Sequence, residues 1–176
     1  MLMSKPSIKC TLVLFTFLIA ACTGSNQVNI DQLTSAEIAN FSTQTNIMFA
    51  SGQPTQEQVA VLASAGVQHV ISLRTEGELE WDEPALVESL GMDFYSIPIS
   101  SGNGLTSENA QTLDNLLASL DGQPVLLHCG SSNRVGALRA ITARDGGASI
   151  EEALSVGRRW GLTGLEQRVR DTFTSN

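Results

Sequence analysis

Val125-Leu126-Leu127-His128-Cys129-Gly130-Ser131-Ser132-Asn133-Arg134-Val135-Gly136 is the stretch on which the fold turns. Pro124 is followed by a short apolar run that reads as a buried strand. Gly130, Ser131, Ser132 and Asn133 are small or turn-forming, so the backbone there can curl until its N–H groups converge. Val135, Leu138 and Ile141 then recur at helical spacing, so a helix follows from about Arg134. Such a helix start carries partial positive charge and unpaired N–H groups, a setting that suits an anion and favours a thiolate. Arg134 adds a guanidinium able to clamp an oxyanion with two parallel hydrogen bonds. The pattern predicts a cysteine thiolate, Cys129, under a bowl of donors built from Gly130, Ser131, Ser132, Asn133 and Val135.

Upstream, strand and helix signals alternate. Asn46–Ala50 is a short strand candidate, and Ser51-Gly52-Gln53-Pro54 turns the chain. Thr55 and Gln58 form a capping box for a helix with Val59 and Leu62 on its apolar face. Val67–Leu73 reads as a strand buried on both sides. A helix at Pro84–Leu90, a strand at Met92–Ile99 and a helix from Thr106 to Leu120 lead back to the central strand. Downstream, capping boxes at Ser149–Glu152 and Thr163–Glu166 predict two closing helices, at about 150–160 and 164–173. Repeated βαβ units predict an α/β domain with three layers and a mostly parallel central sheet of about four strands. Ligand sites of such sheets lie beyond the carboxyl ends of the strands, which makes Arg74 a supporting candidate. The acids of 75–83 read mainly as a solvated loop, one of which overhangs the site in the sharper reading.

The central stretch is similar to the signature of the cysteine-dependent phosphatases and to that of the rhodaneses. The phosphatase pattern is His-Cys, five residues, then Arg; here four residues separate Cys129 from Arg134, a spacing found in rhodanese-type sulfurtransferases. Taken with Ser51-Gly52-Gln53-Pro54, Ile71-Ser72-Leu73-Arg74 and Asn133-Arg134-Val135-Gly136, the chain resembles the bacterial beta-lactamase-hydrolase-like phosphatases over roughly residues 45–165. The resemblance implies a tyrosine-phosphatase-like domain of the dual-specificity type. Its nucleophile is Cys129, its oxyanion clamp Arg134, and its substrate a small phosphorylated compound. His128 would tune the loop by hydrogen bonding, with its ring pointing away from the bowl. The dual-specificity family carries its acid in the region that here reads Ile97-Pro98-Ile99-Ser100-Ser101-Gly102-Asn103-Gly104, without a carboxylate. The candidate acids are therefore Asp82, placed first, with Glu83 and Glu108, and nothing in the spacing selects among them. Phosphatases of this type also often carry a hydroxyl just after the arginine, where this chain has Val135. The sulfurtransferase alternative uses the same parts, with a persulfide on Cys129 and a sulfane-sulfur substrate. A third reading is an oxyanion-binding lipoprotein without catalysis.

The N-terminus reads as an export signal. Lys5 and Lys9 precede an apolar run, Thr11–Ala21, too short to span a bilayer comfortably. The run ends Ala20-Ala21-Cys22, which resembles a bacterial lipoprotein signal with lipid on Cys22. Thr23, in place of Asp, implies the outer membrane, facing the periplasm. The expected organisation is a signal at 1–21, a polar tether at 22–44 and the phosphatase-like domain at 45–176. Without the signal, eight arginines face eighteen acids and no lysine remains, which argues against nucleic-acid binding. With Cys10 removed and Cys22 lipidated, Cys129 has no cysteine to pair with inside the chain. Only His69 and His128 could add nitrogen ligands, so no metal or cofactor is expected.

Overall fold

The computed structural model describes residues 27–174; the signal sequence and Cys22 lie outside them. The elements run α1 (Ile30–Ser35), β1 (Ser42–Thr43), β2 (Met48–Ser51), α2 (Gln56–Ser64), β3 (His69–Ser72), α3 (Glu83–Ser89), β4 (Asp93–Ser96), α4 (Ser107–Ser119), β5 (Val125–His128), α5 (Asn133–Asp145), α6 (Ile150–Arg159) and α7 (Glu166–Thr174). The sheet order is β1-β2-β5-β3-β4, parallel except for β1. The fold is the α/β arrangement with a mostly parallel sheet that the sequence predicts. It has five strands rather than four, because two residues ahead of β2 turn back along it as β1.

Strand β5 lies in the middle, and its side chains alternate between two cores. Leu127 packs with Ala50 and Ile71 against α4, α5 and α6, in a cluster that includes Leu113, Leu138 and Leu154. Leu126 packs with Phe49 and Val70 on the other face, among Leu33, Leu62 and Val87 of α1, α2 and α3. Register fixes the site: Ser51 of β2 and Ser72 of β3 both pair with His128 of β5. Three strands therefore end at one level, and Gly52, Leu73 and Cys129 leave the sheet side by side.

The capping boxes at Thr55–Gln58 and Ser149–Glu152 form as expected. That at Thr163–Glu166 does not. The backbone N–H groups of Thr163 and Leu165 donate to Asn133 Oδ1, and Glu166 pairs with Arg158 instead of turning back to cap its helix. The expected tether is corrected as well. From Val28 onward the segment is part of the domain: Val28, Leu33 and Ile38 are buried, and Asn29 N–H donates to Ala65 O at 2.8 Å. Three apolar residues spaced along a polar run suffice to cover the edge of the second core.

Helices α5 and α6 approach backbone to backbone. A methyl group on Gly136 would lie 2.6 Å from Gly157 O, and closer still to Leu162 N. Backbone cannot yield as a flexible side chain does. The Gly136→Ala variant is expected to lose at least about 2 kcal/mol of unfolding free energy, read as a lower urea midpoint.

Candidate active site

The loop after β5 is held from outside by its carbonyl groups. Gly130 O accepts from Gln53 N–H at 3.3 Å, and Ser131 O accepts from Asn40 Nδ2 at 3.3 Å. In a trans peptide the C=O and N–H point in opposite directions, so tying the Gly130 carbonyl to Gln53 turns the Ser131 N–H the other way. Gly52 forms a bridge to Ser131. It fits because it has no side chain: a Cβ there would lie 3.0 Å from Ala39 O and 3.1 Å from Gly130 O.

Ser132 closes the turn in the left-handed region, at φ 64°, and α5 begins at the next residue. The strain this carries for a non-glycine residue is offset locally. Ser132 Oγ donates to Trp160 O at 2.9 Å, and Ser132 O accepts the Gly136 N–H at 3.0 Å. Cys129 itself is buried, and it is the one free cysteine among the described residues.

Arg134 leaves the first turn of α5 with its guanidinium almost enclosed. Nη1 donates to Leu73 O at 3.2 Å, Ile99 O at 3.0 Å and Glu78 Oε1 at 2.7 Å, and Nη2 donates to Glu78 Oε2 at 2.6 Å. This fork-to-fork pairing sets its plane. Glu78 also accepts from the backbone N–H and the hydroxyl of Thr75, at 2.6 and 2.7 Å. The Arg134 hydrogen bonds hold its carboxyl down at about 2, so it is a fixed anion. The same bonds push the Arg134 pKa further up, with a smaller contribution from Cys129 beside it.

Beneath the loop lies a second set of polar groups. Arg74 Nη1 donates to Gln53 Oε1 at 2.8 Å, so the Gln53 amide must turn its Nε2 to Glu83 Oε1, at 2.6 Å. Glu83 Oε1 is in turn 3.3 Å from His128 Nε2. Both side chains are buried. Burial pushes the Glu83 carboxyl up and the His128 imidazole down to about 3, so His128 is neutral, with Nε2 beside Glu83.

The acids are where sequence reasoning and geometry part. Asp82 is not aimed at Cys129: its Oδ1 caps α3 by accepting the Ala85 N–H at 3.0 Å. Glu83 is under the loop rather than over it. Glu108 stands exposed in the first turn of α4. Glu78, the acid that reaches Arg134, had no individual signal. Only the position of its turn, four residues beyond Arg74 and next to the carboxyl end of β3, could have singled it out. Among the described residues no group of three or more His, Cys, Asp or Glu side chains comes together as a metal site.

The sequence pattern described as PTP-SAK, Swiss Army Knife protein, DSP-PTPase phosphatase domain, matches residues 37–142. The chain belongs to this family. The PTP-SAK match takes in β1 to β5, the loop after β5, Arg134, Glu78 and Glu83. A beta-lactamase hydrolase-like protein of Xylella fastidiosa (strain 9a5c) is 29% identical over 135 residues, which make up 69% of this chain and 31% of that protein. The PTP-SAK chain thus spans about a third of that relative. Among solved structures, a DUF442 protein of Shewanella putrefaciens CN-32 superposes with a TM-score of 0.63 and 22% identity, covering 83% of this chain and 97% of the other. The core catalytic domain of the PP-IP phosphatase of S. cerevisiae superposes with a TM-score of 0.58 and 20% identity, over 77% and 86%. The domain is thus a phosphatase domain on a tyrosine-phosphatase-like fold.

The depressed Glu78 pKa gives a stability signature. A carboxyl favoured as its anion in the folded state stabilises the fold above the ordinary carboxylate range, and that contribution is lost as pH falls towards about 2. The Glu78→Gln variant is expected to lose about 1.5–3 kcal/mol at pH 7. Its further loss on going to pH 3, followed by thermal unfolding, is expected to be smaller than that of the wild type.

Proposed function

We propose that the domain hydrolyses phosphate compounds through a phosphocysteine on Cys129. The observation that carries this reading is the fixed guanidinium of Arg134, set beside Cys129 at the foot of a loop whose carbonyls are tied outward. The thiolate attacks phosphorus while the loop N–H groups and Arg134 take up the charge on the equatorial oxygens. Because Glu78 holds one edge of the guanidinium, its remaining N–H groups are presented to the substrate in one orientation. The Glu78 anion also offsets part of the charge of Arg134 and Arg74, so the bowl is not a dense cationic site. Water then hydrolyses the phosphocysteine. The S. cerevisiae neighbour is a PP-IP phosphatase, which supports a phosphate compound as the substrate here.

The full chain is expected to hydrolyse an aryl phosphate. Cys129→Ser is expected to abolish turnover, and Arg134→Ala to lower kcat/KM by about 10²–10³-fold. If neither the wild type nor the variants turn over, and thiosulfate-to-cyanide transfer is found instead, the loop serves sulfur transfer and the phosphatase reading falls.

We also infer that the protein is an exported lipoprotein. Support comes from Lys5 and Lys9 ahead of the apolar run Thr11–Ala21 and from Ala20-Ala21-Cys22 at its end. In this reading Cys22 carries the lipid and holds the domain at the outer membrane, facing the periplasm. Cys22→Ser is expected to move the protein from the membrane to the soluble fraction; retention of the variant in the membrane would overturn the assignment.

A further inference from the structure

The rim of the bowl has three sides, and each can be read for a group able to give a proton to a leaving oxygen. The first is the stretch after β4. It starts at Ile99, whose carbonyl bonds Arg134, and continues as Ser100, Ser101, Gly102, Asn103 and Gly104. These residues are largely bonded to one another: Gly102 N–H donates to Ser100 Oγ at 3.2 Å, and Gly104 N–H to Ser100 O at 3.0 Å. Gly102 O is held by Arg168 Nη1 at 2.8 Å. No residue of this stretch titrates near neutral pH.

The second side is the turn between β3 and α3. Its acids that approach the site are already committed: Glu78 as an anion on Arg134, Glu83 in the buried network with Gln53 and His128, and Asp82 as the cap of α3. Glu76 and Glu80 stand exposed on it, bonded to neither Arg134 nor the loop. The third side is the loop itself and the start of α5. There Ser132 Oγ is spent on Trp160 O, and position 135 is a fully buried valine.

We propose that this site takes phosphoryl compounds whose leaving group departs as a stable anion: esters of acidic phenols, acyl phosphates and phosphoanhydrides. Breakdown of the phosphocysteine then limits turnover on them. The proposal rests on the phosphatase reading above and names its substrate class. In the first step the Cys129 Sγ–P bond forms as the P–O bond breaks, and the leaving oxygen keeps the bonding pair without receiving a proton. In the second step water oxygen bonds to phosphorus, the S–P pair returns to sulfur as thiolate, and the water proton passes to solvent. The group that would donate in the first step would serve as base in the second, so both steps go unassisted. The second also has no hydroxyl beside the departing thiolate, because position 135 is a buried valine.

The test uses the full chain with a series of aryl phosphates running from acidic nitrophenols to phenol, together with acetyl phosphate, pyrophosphate and phosphoserine. Nitrophenyl phosphate is expected to exceed phenyl phosphate in kcat/KM by about 10²–10⁴-fold, the contribution that a positioned acid would otherwise supply. Acetyl phosphate or pyrophosphate is expected to be turned over and phosphoserine is not. Rapid mixing is expected to show a burst of nitrophenolate matching the enzyme concentration. Dependence on the leaving group that stays within about tenfold overturns the proposal, because an acid must then be supplying that proton. If it steepens in Glu80→Gln, Asp82→Asn or Glu108→Gln, that residue is the acid. Release without a burst overturns the second half. No hydrolysis of even the most acidic ester fails the phosphatase reading itself, and this proposal falls with it.

Discussion

The guanidinium of Arg134 is the point at which the separate pieces of this domain are tied together. Its acceptors come from the end of β3, the stretch after β4 and the turn bearing Glu78. Leu73 and Glu78 belong to neighbouring stretches, but Ile99 and Arg134 itself lie far from them in sequence, and a single planar cation sets their relative positions. Burying it costs desolvation, which the Glu78 carboxylate and two carbonyls offset. The arrangement also leaves the arginine little freedom to lose when an anion arrives. Binding is then spent on the substrate rather than on ordering the side chain.

The loop is shorter by one residue than the common phosphatase pattern, and the structure shows how it still closes. Ser132 takes a left-handed conformation, and the start of α5 follows at once. The end of α6 presses on this turn so closely that a Cβ on Gly161 would lie 2.6 Å from Ser132 Cβ. The contact between α5 and α6, made possible by Gly136 and Gly157, therefore supports the turn at Ser132 as well as the core.

Much of this was legible in the sequence, for reasons that differ by element. Strands β3 and β5 are buried on both faces, and the apolar residues at their centres and flanks are the mark that a parallel strand under helices on each side leaves. The boxes at Thr55 and Ser149 were readable because both of their partners lie within one turn. The box at Thr163 misled because its glutamate had a competitor, Arg158, which local sequence does not reveal. The run from Val28 to Ile38 looked like tether because its apolar residues are sparse, and their burial depends on a core edge made by α2 and β3. Cys129 and Arg134, the proposed nucleophile and clamp, stood out by residue type and spacing. Five acids crowded into 76–83 share one composition, and only the turn at Gly77 and the start of α3 decide which of them meets Arg134, which caps a helix and which goes under the loop.

The chain enters the domain against its own active loop. Asn40 holds Ser131 O, Ala39 O holds Gly52 N–H, and Gly52 in turn bridges to Ser131. A fragment begun at residue 45 would keep Cys129, Arg134, Glu78 and Glu83, yet it would lack the outer wall against which the bowl is shaped. The smallest piece that carries every reacting group is thus shorter than the smallest piece that can use them. A protease that trims the N-terminal arm past Asn40 would remove that wall without cutting near Cys129 or Arg134.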